Sequence, residues 1–128
     1  VNAHERVDGL FARGLTKVYR SGPDQVRAVD GADLHVAHGE LVAIVGPSGS
    51  GKTTLLAMLG ALLSPTAGTV VIDGVDLGSL NESQRARFRR ERVGFVFQSY
   101  NLVPYLTARE NLLAVADVAG RRNGDARR

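Results

Sequence analysis

Five consecutive apolar residues with three β-branched side chains, LVAIV (Leu41 to Val45), predict a strand buried on both faces. The chain before it has a different texture. LFARGLTKVY (Leu10 to Tyr19) and VRAVDGADLHV (Val26 to Val36) are divided by turn residues at Ser21-Gly22-Pro23-Asp24 and followed by a second turn at His38-Gly39. Turns about every ten residues predict hairpins rather than strand–helix–strand units. Beyond the apolar run, Leu55, Met58, Leu59 and Leu62 recur at helical spacing, and Ser64-Pro65 is expected to stop the helix. GTVVIDGVDL (Gly68 to Leu77) then places two β-branched runs on either side of Asp73-Gly74, a strong hairpin signal. Ser79 and Glu82 form a capping-box pattern ahead of a short arginine-rich helix. VGFVF (Val93 to Phe97) predicts another buried strand, ending at the polar Gln98. Thr107 and Glu110 offer a second capping box, opening a helix through LLAVADVAG (Leu112 to Gly120).

Candidate chemistry sits between the LVAIV strand and the helix after it. GPSGSGKTTL fits the spacing G-x-x-x-x-G-K-[ST], with Gly46, Gly51, Lys52 and Thr53 in the fixed places. A loop that wraps a polyphosphate with its own backbone needs glycines, because a Cβ would obstruct N–H groups that turn inward. Lys52 then meets the β and γ oxygens, Thr53 supplies a hydroxyl for Mg²⁺, and the helix directs the positive end of its dipole at the phosphates. The candidate contacts are Gly46, Ser48, Gly49, Ser50, Gly51, Lys52, Thr53 and Thr54. Strand, loop and helix follow in the order the motif requires.

Composition narrows the rest. The 128 residues are one domain's worth, and they contain no cysteine, which excludes disulfides and cysteine-based metal or nucleophile chemistry. Leu55 to Leu63 is the longest apolar stretch at nine residues, against the ~20 that a bilayer span requires. A membrane link is therefore expected only through a partner. Lys plus Arg number 16 and Asp plus Glu 13, a net charge of +3, too mild for a nucleic-acid footprint. Five arginines between Arg85 and Arg92, and four more from Arg121 to Arg128, read first as solvated surface.

These residues together resemble the ATP-binding subunits of ABC transporters over essentially the whole chain. GPSGSGKTTL is that family's usual phosphate loop, GTVVIDGVDL matches the hairpin that follows it, and VGFVFQSYNLVPYLTARENL resembles its glutamine loop and the opening of its helical subdomain. VRAVDGADL combined with FQSYNLVPYLTARENL looks most like the group powering macrolide export and lipoprotein release. The resemblance implies ATP and Mg²⁺ as cofactors, transmembrane transporter subunits and a second ATP-binding subunit as partners, and a place at the cytoplasmic face of the membrane. It implies that Tyr19 stacks on adenine, where without the resemblance packing on the sheet is the first reading. It gives Gln98 a place beside Mg²⁺ or the attacking water, where without the resemblance a loop-capping glutamine is the first reading.

The resemblance stops short of the catalytic elements. An LSGGQ signature, a strand ending in Asp for the Mg²⁺ shell, a Glu after it as general base and a downstream His are all expected of the family. The 128 residues contain no Gly-Gly pair, and His4, His35 and His38 all precede the loop. Asp73 and Asp117 each follow an apolar run, but the first is expected in a hairpin turn and the second in a helix. The expected fold is α/β, a P-loop NTPase fold with an antiparallel β-subdomain (1–37 and 69–77), truncated before the signature and Walker B segments. The nucleotide-binding core would take 41–63 and 93–98, and 99–128 would begin the helical subdomain. The chain is expected to bind MgATP without hydrolysing it by itself; a self-sufficient P-loop kinase and a nucleotide-free remnant are the alternatives.

Overall fold

The computed structural model describes residues 8–99 and 101–118. The chain divides into two units, 1–85 and 86–128.

The first unit is organised by a four-stranded antiparallel sheet in the order β2-β1-β3-β4, from β1 (Leu10–Ser21), β2 (Asp24–Val36), β3 (Ala67–Ile72) and β4 (Val75–Asp76). Gly22 and Pro23 close the first hairpin, with Ser21 paired to Asp24 and Gly22 at φ 60°, the positive angle a glycine-first two-residue turn requires. Asp73 (φ 49°) and Gly74 (φ 78°) close the second between Ile72 and Val75, both residues left-handed as in a type I′ turn. The inward face of the sheet carries Ala12, Leu15, Val29 and Val70. They form the core with Met58 and Leu59 of helix α1 (Lys52–Leu59), Ala61 and Leu77. Leu15 and Met58 are completely enclosed, and α1 packs on β1 and β2.

Helix α1 ends earlier than its apolar spacing suggests. Gly60 is the cap, Ala61 takes a left-handed φ of 59°, and the N–H groups of Ala61 and Leu62 return to the carbonyls of Met58 and Ala57. That is a Schellman closure with alanine where glycine is usual. Leu62 therefore follows the helix instead of continuing it, and Ser64-Pro65 belongs to the loop leading into β3.

A short 3₁₀ turn, Leu77–Ser79, leads into α2 (Glu82–Arg92), which starts in the first unit and finishes in the second. Its cap differs from the expected Ser79 and Glu82 pair. Asn81 Oδ1 accepts from the Gln84 N–H and Gln84 Oε1 accepts from the Asn81 N–H, both at 2.9 Å. Ser79 donates instead to the Asp76 carbonyl at 2.7 Å, inside the 3₁₀ turn.

In the second unit, α3 (Ala108–Val118) opens with the Thr107 and Glu110 capping box. The Glu110 N–H donates to Thr107 Oγ1, and Glu110 Oε2 accepts from the Thr107 N–H. The last residues of the expected helix, 119 and 120, lie outside the described ones.

The two runs expected as buried strands are not strands. Residues 41–45 and 93–97 carry no strand assignment, and Leu41 is 98%, Val45 87% and Val96 95% exposed. An inner strand of a parallel sheet is defined by hydrogen-bonded neighbours on its edges and by layers on its faces. Among the described residues neither run has such a neighbour, because the four strands of the sheet pair only with one another.

Candidate nucleotide site

The loop 46–51 enters α1 through Gly51, whose φ of 89° closes the N-terminus of the helix without any side-chain cap. The first loop-to-helix bond is from the Leu55 N–H to the Gly51 carbonyl at 2.8 Å. By helix geometry the N–H groups of Lys52, Thr53 and Thr54 therefore have no partner within the helix, and the first turn holds no acid to compete for them. Gly49 also has positive φ, 78°, with open space where a Cβ would stand. The result is a cradle of free donors at the positive end of a helix, which suits a polyphosphate.

Lys52 lies across that cradle. Its ammonium donates to the Gly46 carbonyl at 2.7 Å, the Pro47 carbonyl at 2.6 Å and Ser50 Oγ at 3.2 Å. All three acceptors are neutral, so its charge is uncompensated. An anionic oxygen is a stronger acceptor for an ammonium than a neutral carbonyl, which makes phosphate the favoured competitor for these hydrogen bonds. Thr53 is exposed in the first turn of α1, where its hydroxyl is open to a cation held by the same phosphates. The donor set therefore fits a magnesium-bearing polyphosphate.

Sequence reasoning missed the surface beneath the loop. The register of β1 on β2 passes from Lys17 opposite Val29 to Val18 opposite Arg27, which leaves Ala28 as the extra residue of a bulge. A Cβ on Gly51 would collide with the Ala28 carbonyl oxygen, its nearest neighbour. Gly51 is thus required by the strand under the loop as well as by any phosphate above it. Nothing in the linear pattern marks Ala28, since a bulge is a property of register.

Tyr19 stands near the end of β1 opposite Val26, 44% exposed. Val26 and Ala28 are two residues apart on β2, about 6.6 Å along a strand. The sheet thereby brings the aromatic side chain and the loop to one stretch of β2. Gln98 belongs to the second unit, where it is exposed at the end of the Val93 to Phe97 run. A separate concavity of about 590 Å³ lies over Phe11, Arg13, His35, Thr69 and Val71. Phe11 and Arg13 flank the inward-facing Ala12 in β1, so alternation puts it on the sheet face opposite the core.

Asp73 is occupied structurally. Asp73 Oδ1 accepts from the Gly9 N–H at 3.2 Å and lies 2.9 Å from His38 Nε2, while the Asp73 N–H donates to the Gly9 carbonyl. It pins the start of β1 to the hairpin turn. Asp117 lies in α3.

The family model described as ABC transporter matches residues 29–128. The chain belongs to the ABC transporter family. Among its relatives, the lipoprotein-releasing system ATP-binding protein LolD 1 of Caulobacter vibrioides is 50% identical over 111 residues, covering 87% of this chain and 47% of the relative. The uncharacterized ABC transporter ATP-binding protein MJ0796 of Methanocaldococcus jannaschii is 41% identical over 118 residues, covering 91% and 50%. A solved dimeric structure of the MJ0796 ATP-binding cassette, bound to ADP and Pi in a post-hydrolysis state, matches with a TM-score of 0.84 at 38% identity, over 91% of this chain and 50% of that one. The ABC chain spans about half the length of these relatives and corresponds to the N-terminal part of the cassette. The likeness in structure supports the truncated P-loop NTPase fold class even though 41–45 and 93–97 form no ladder.

Proposed function

We propose that the chain binds MgATP as part of an ABC ATP-binding subunit of the export type, allied to lipoprotein release, which drives a transmembrane partner from the cytoplasmic face of the membrane. The observation that carries this is the loop itself: three unpaired N–H groups at the start of α1, under an uncompensated Lys52. Gly46, Ser48, Gly49, Ser50, Gly51, Lys52, Thr53 and Thr54 hold the phosphates. Tyr19 stacks on the adenine and Thr53 would hold Mg²⁺, with Gln98 of the second unit the other candidate ligand. When bound, Mg²⁺ neutralises charge on the β and γ oxygens. The LolD relatives, named for lipoprotein release, support the export setting, and the dimeric MJ0796 cassette supports a second ATP-binding subunit as partner.

The chain's own residues bind and orient nucleotide. Lys52 would exchange neutral carbonyls for phosphate oxygens, and the N–H groups at the start of α1 would donate to the same phosphates. Isothermal titration with MgATP tests this directly. Lys52→Ala removes a charge-assisted bond of ~1.5–3 kcal/mol and should weaken binding by about ten- to a hundredfold. Equal affinities for the two proteins would refute the site.

A further inference from the structure

We propose that Lys17 is a positioning residue for the nucleotide base, acting through Tyr19 and tying the base end of the site to the helix that carries the phosphate loop; this rests on the nucleotide-binding role proposed above. Lys17 and Tyr19 are two residues apart in β1, and the Lys17 ammonium sits over the Tyr19 ring, 5.5 Å from its centroid. A ring has two faces. With a cation on one of them, a stacking base has only the other, and the ring loses the freedom to turn between them.

The same ammonium is anchored at a second point. It donates to the Ser64 carbonyl at 2.8 Å, in the loop that follows the α1 closure. That loop is itself fastened to β1 on both sides of Lys17. The Thr66 N–H donates to the Thr16 carbonyl at 2.8 Å, and Thr66 Oγ1 accepts from the Val18 N–H at 3.1 Å. The Ser64 hydroxyl is held by Arg85, whose other terminal nitrogen reaches the Leu77 carbonyl at 3.1 Å. The loop that follows α1 is therefore fixed to β1 around Lys17, while the other end of α1 carries the phosphate loop. A base and its phosphates are joined by a sugar of fixed reach, so a platform held at constant distance from the loop binds the whole nucleotide better than one that wanders.

This role predicts a loss that depends on the base. Binding of MgATP and of magnesium tripolyphosphate, which has the phosphates without a base, is measured for wild type, Lys17→Met, Lys17→Arg and Tyr19→Ala in the full chain. Lys17→Met should weaken ATP by about three- to tenfold and leave tripolyphosphate within twofold. Lys17→Arg, which keeps the cation and its donors, should stay within threefold for both. Adding Lys17→Met to Tyr19→Ala should cost nothing further for ATP. Tripolyphosphate affinity reports in every case that the loop is folded. Equal losses for ATP and tripolyphosphate in Lys17→Met would reduce Lys17 to a general support of the fold and overturn the proposal. So would an unchanged ATP affinity. If Tyr19→Ala itself leaves ATP binding intact, base stacking fails first, a result separate from a Lys17 that does not act through it.

Discussion

The carbonyl oxygen of Ala28, carried by a bulge in β2, fills the space where a Gly51 side chain would begin. Strand and loop are in contact at a point where only glycine fits, so the loop's entry into α1 is set by the sheet beneath it. Gly49 offers the contrast. It shares a positive φ with Gly51 but has nothing within 4 Å of an added Cβ. Gly49→Ala should cost only left-handed strain, ~1–2 kcal/mol. Gly51→Ala should cost that plus a steric term of ~1–3 kcal/mol, or else displace the loop. Urea unfolding of the two variants gives the comparison, and equal losses would mean that β2 yields freely.

How much of this was legible beforehand depended on the range of the interaction. Gly22-Pro23, Asp73-Gly74 and the Thr107–Glu110 cap are local chemistry, and each appears where the residues put it. The α2 cap was mislocated by two residues, because Ser79-x-x-Glu82 and Asn81-x-x-Gln84 are equally good patterns and Ser79 is taken up by the 3₁₀ turn. The close of α1 was obscured for a related reason: Gly60 and Ala61 reverse the usual order of alanine and glycine. LVAIV and VGFVF show a deeper limit. An apolar run reports a preference for burial, but whether it becomes a strand is decided by what lies beside it. At the site, the phosphate loop was fully visible as a motif, whereas Ala28 and Lys17 were not. Lys17 had a signal that could have been used, since two residues apart on a strand means one face.

Tyr19 provides a test of what the base end of the site reads. The residue is 44% exposed and its ring offers a π face, and stacking on such a face is worth ~1–3 kcal/mol for any base. No feature of a stacked phenol distinguishes the exocyclic groups of adenine from those of guanine. ATP and GTP should therefore bind within tenfold of each other, or ~1.4 kcal/mol, and Tyr19→Ala should weaken both together. Competition titrations decide it: a selective loss of one nucleotide would put hydrogen bonding, not stacking, in control.

The pH behaviour of α3 follows from its cap. The Thr107 N–H and hydroxyl donate to Glu110 Oε2 at 2.7 and 2.8 Å, and these bonds, the backbone one first, hold the Glu110 carboxyl below its ordinary value. A carboxyl with a lower pKa in the folded state adds stability above its unfolded value, ~4.3, and that stability is lost as pH falls through the folded value. The Thr107 amide resonance should accordingly titrate with a midpoint below ~4.3, and the start of α3 should fray with it. Glu110→Gln, which keeps an acceptor but no proton to take up, should show a flat profile. A midpoint at or above the ordinary value would remove the capping bond from the account.

The 128-residue chain by itself should hold ATP and not turn it over. Transfer of a phosphoryl group to water requires a positioned water, a base to orient it, and charge stabilisation around the γ-phosphate. Lys52 and Thr53 would supply part of the last. Of the two acids that follow apolar runs, Asp73 is committed to the Gly9 amide and His38, and Asp117 is an exposed residue of α3 in the second unit. No Gly-Gly pair is present to make an opposing signature. Loss of a general base alone costs ~10²–10⁴-fold, and groups that act as a unit lose more together. The exposed runs at 41–45 and 93–97 add a practical consequence, because unpaired apolar segments invite association, and the purified chain should aggregate on warming. The measurement is steady-state phosphate release beside Lys52→Ala as a control for contaminating ATPase. Release from wild type should equal that of the variant. Turnover well above it, abolished with Lys52, would mean that an acid among these residues serves as base after all, with Asp73 and Asp117 the first to exchange for Asn.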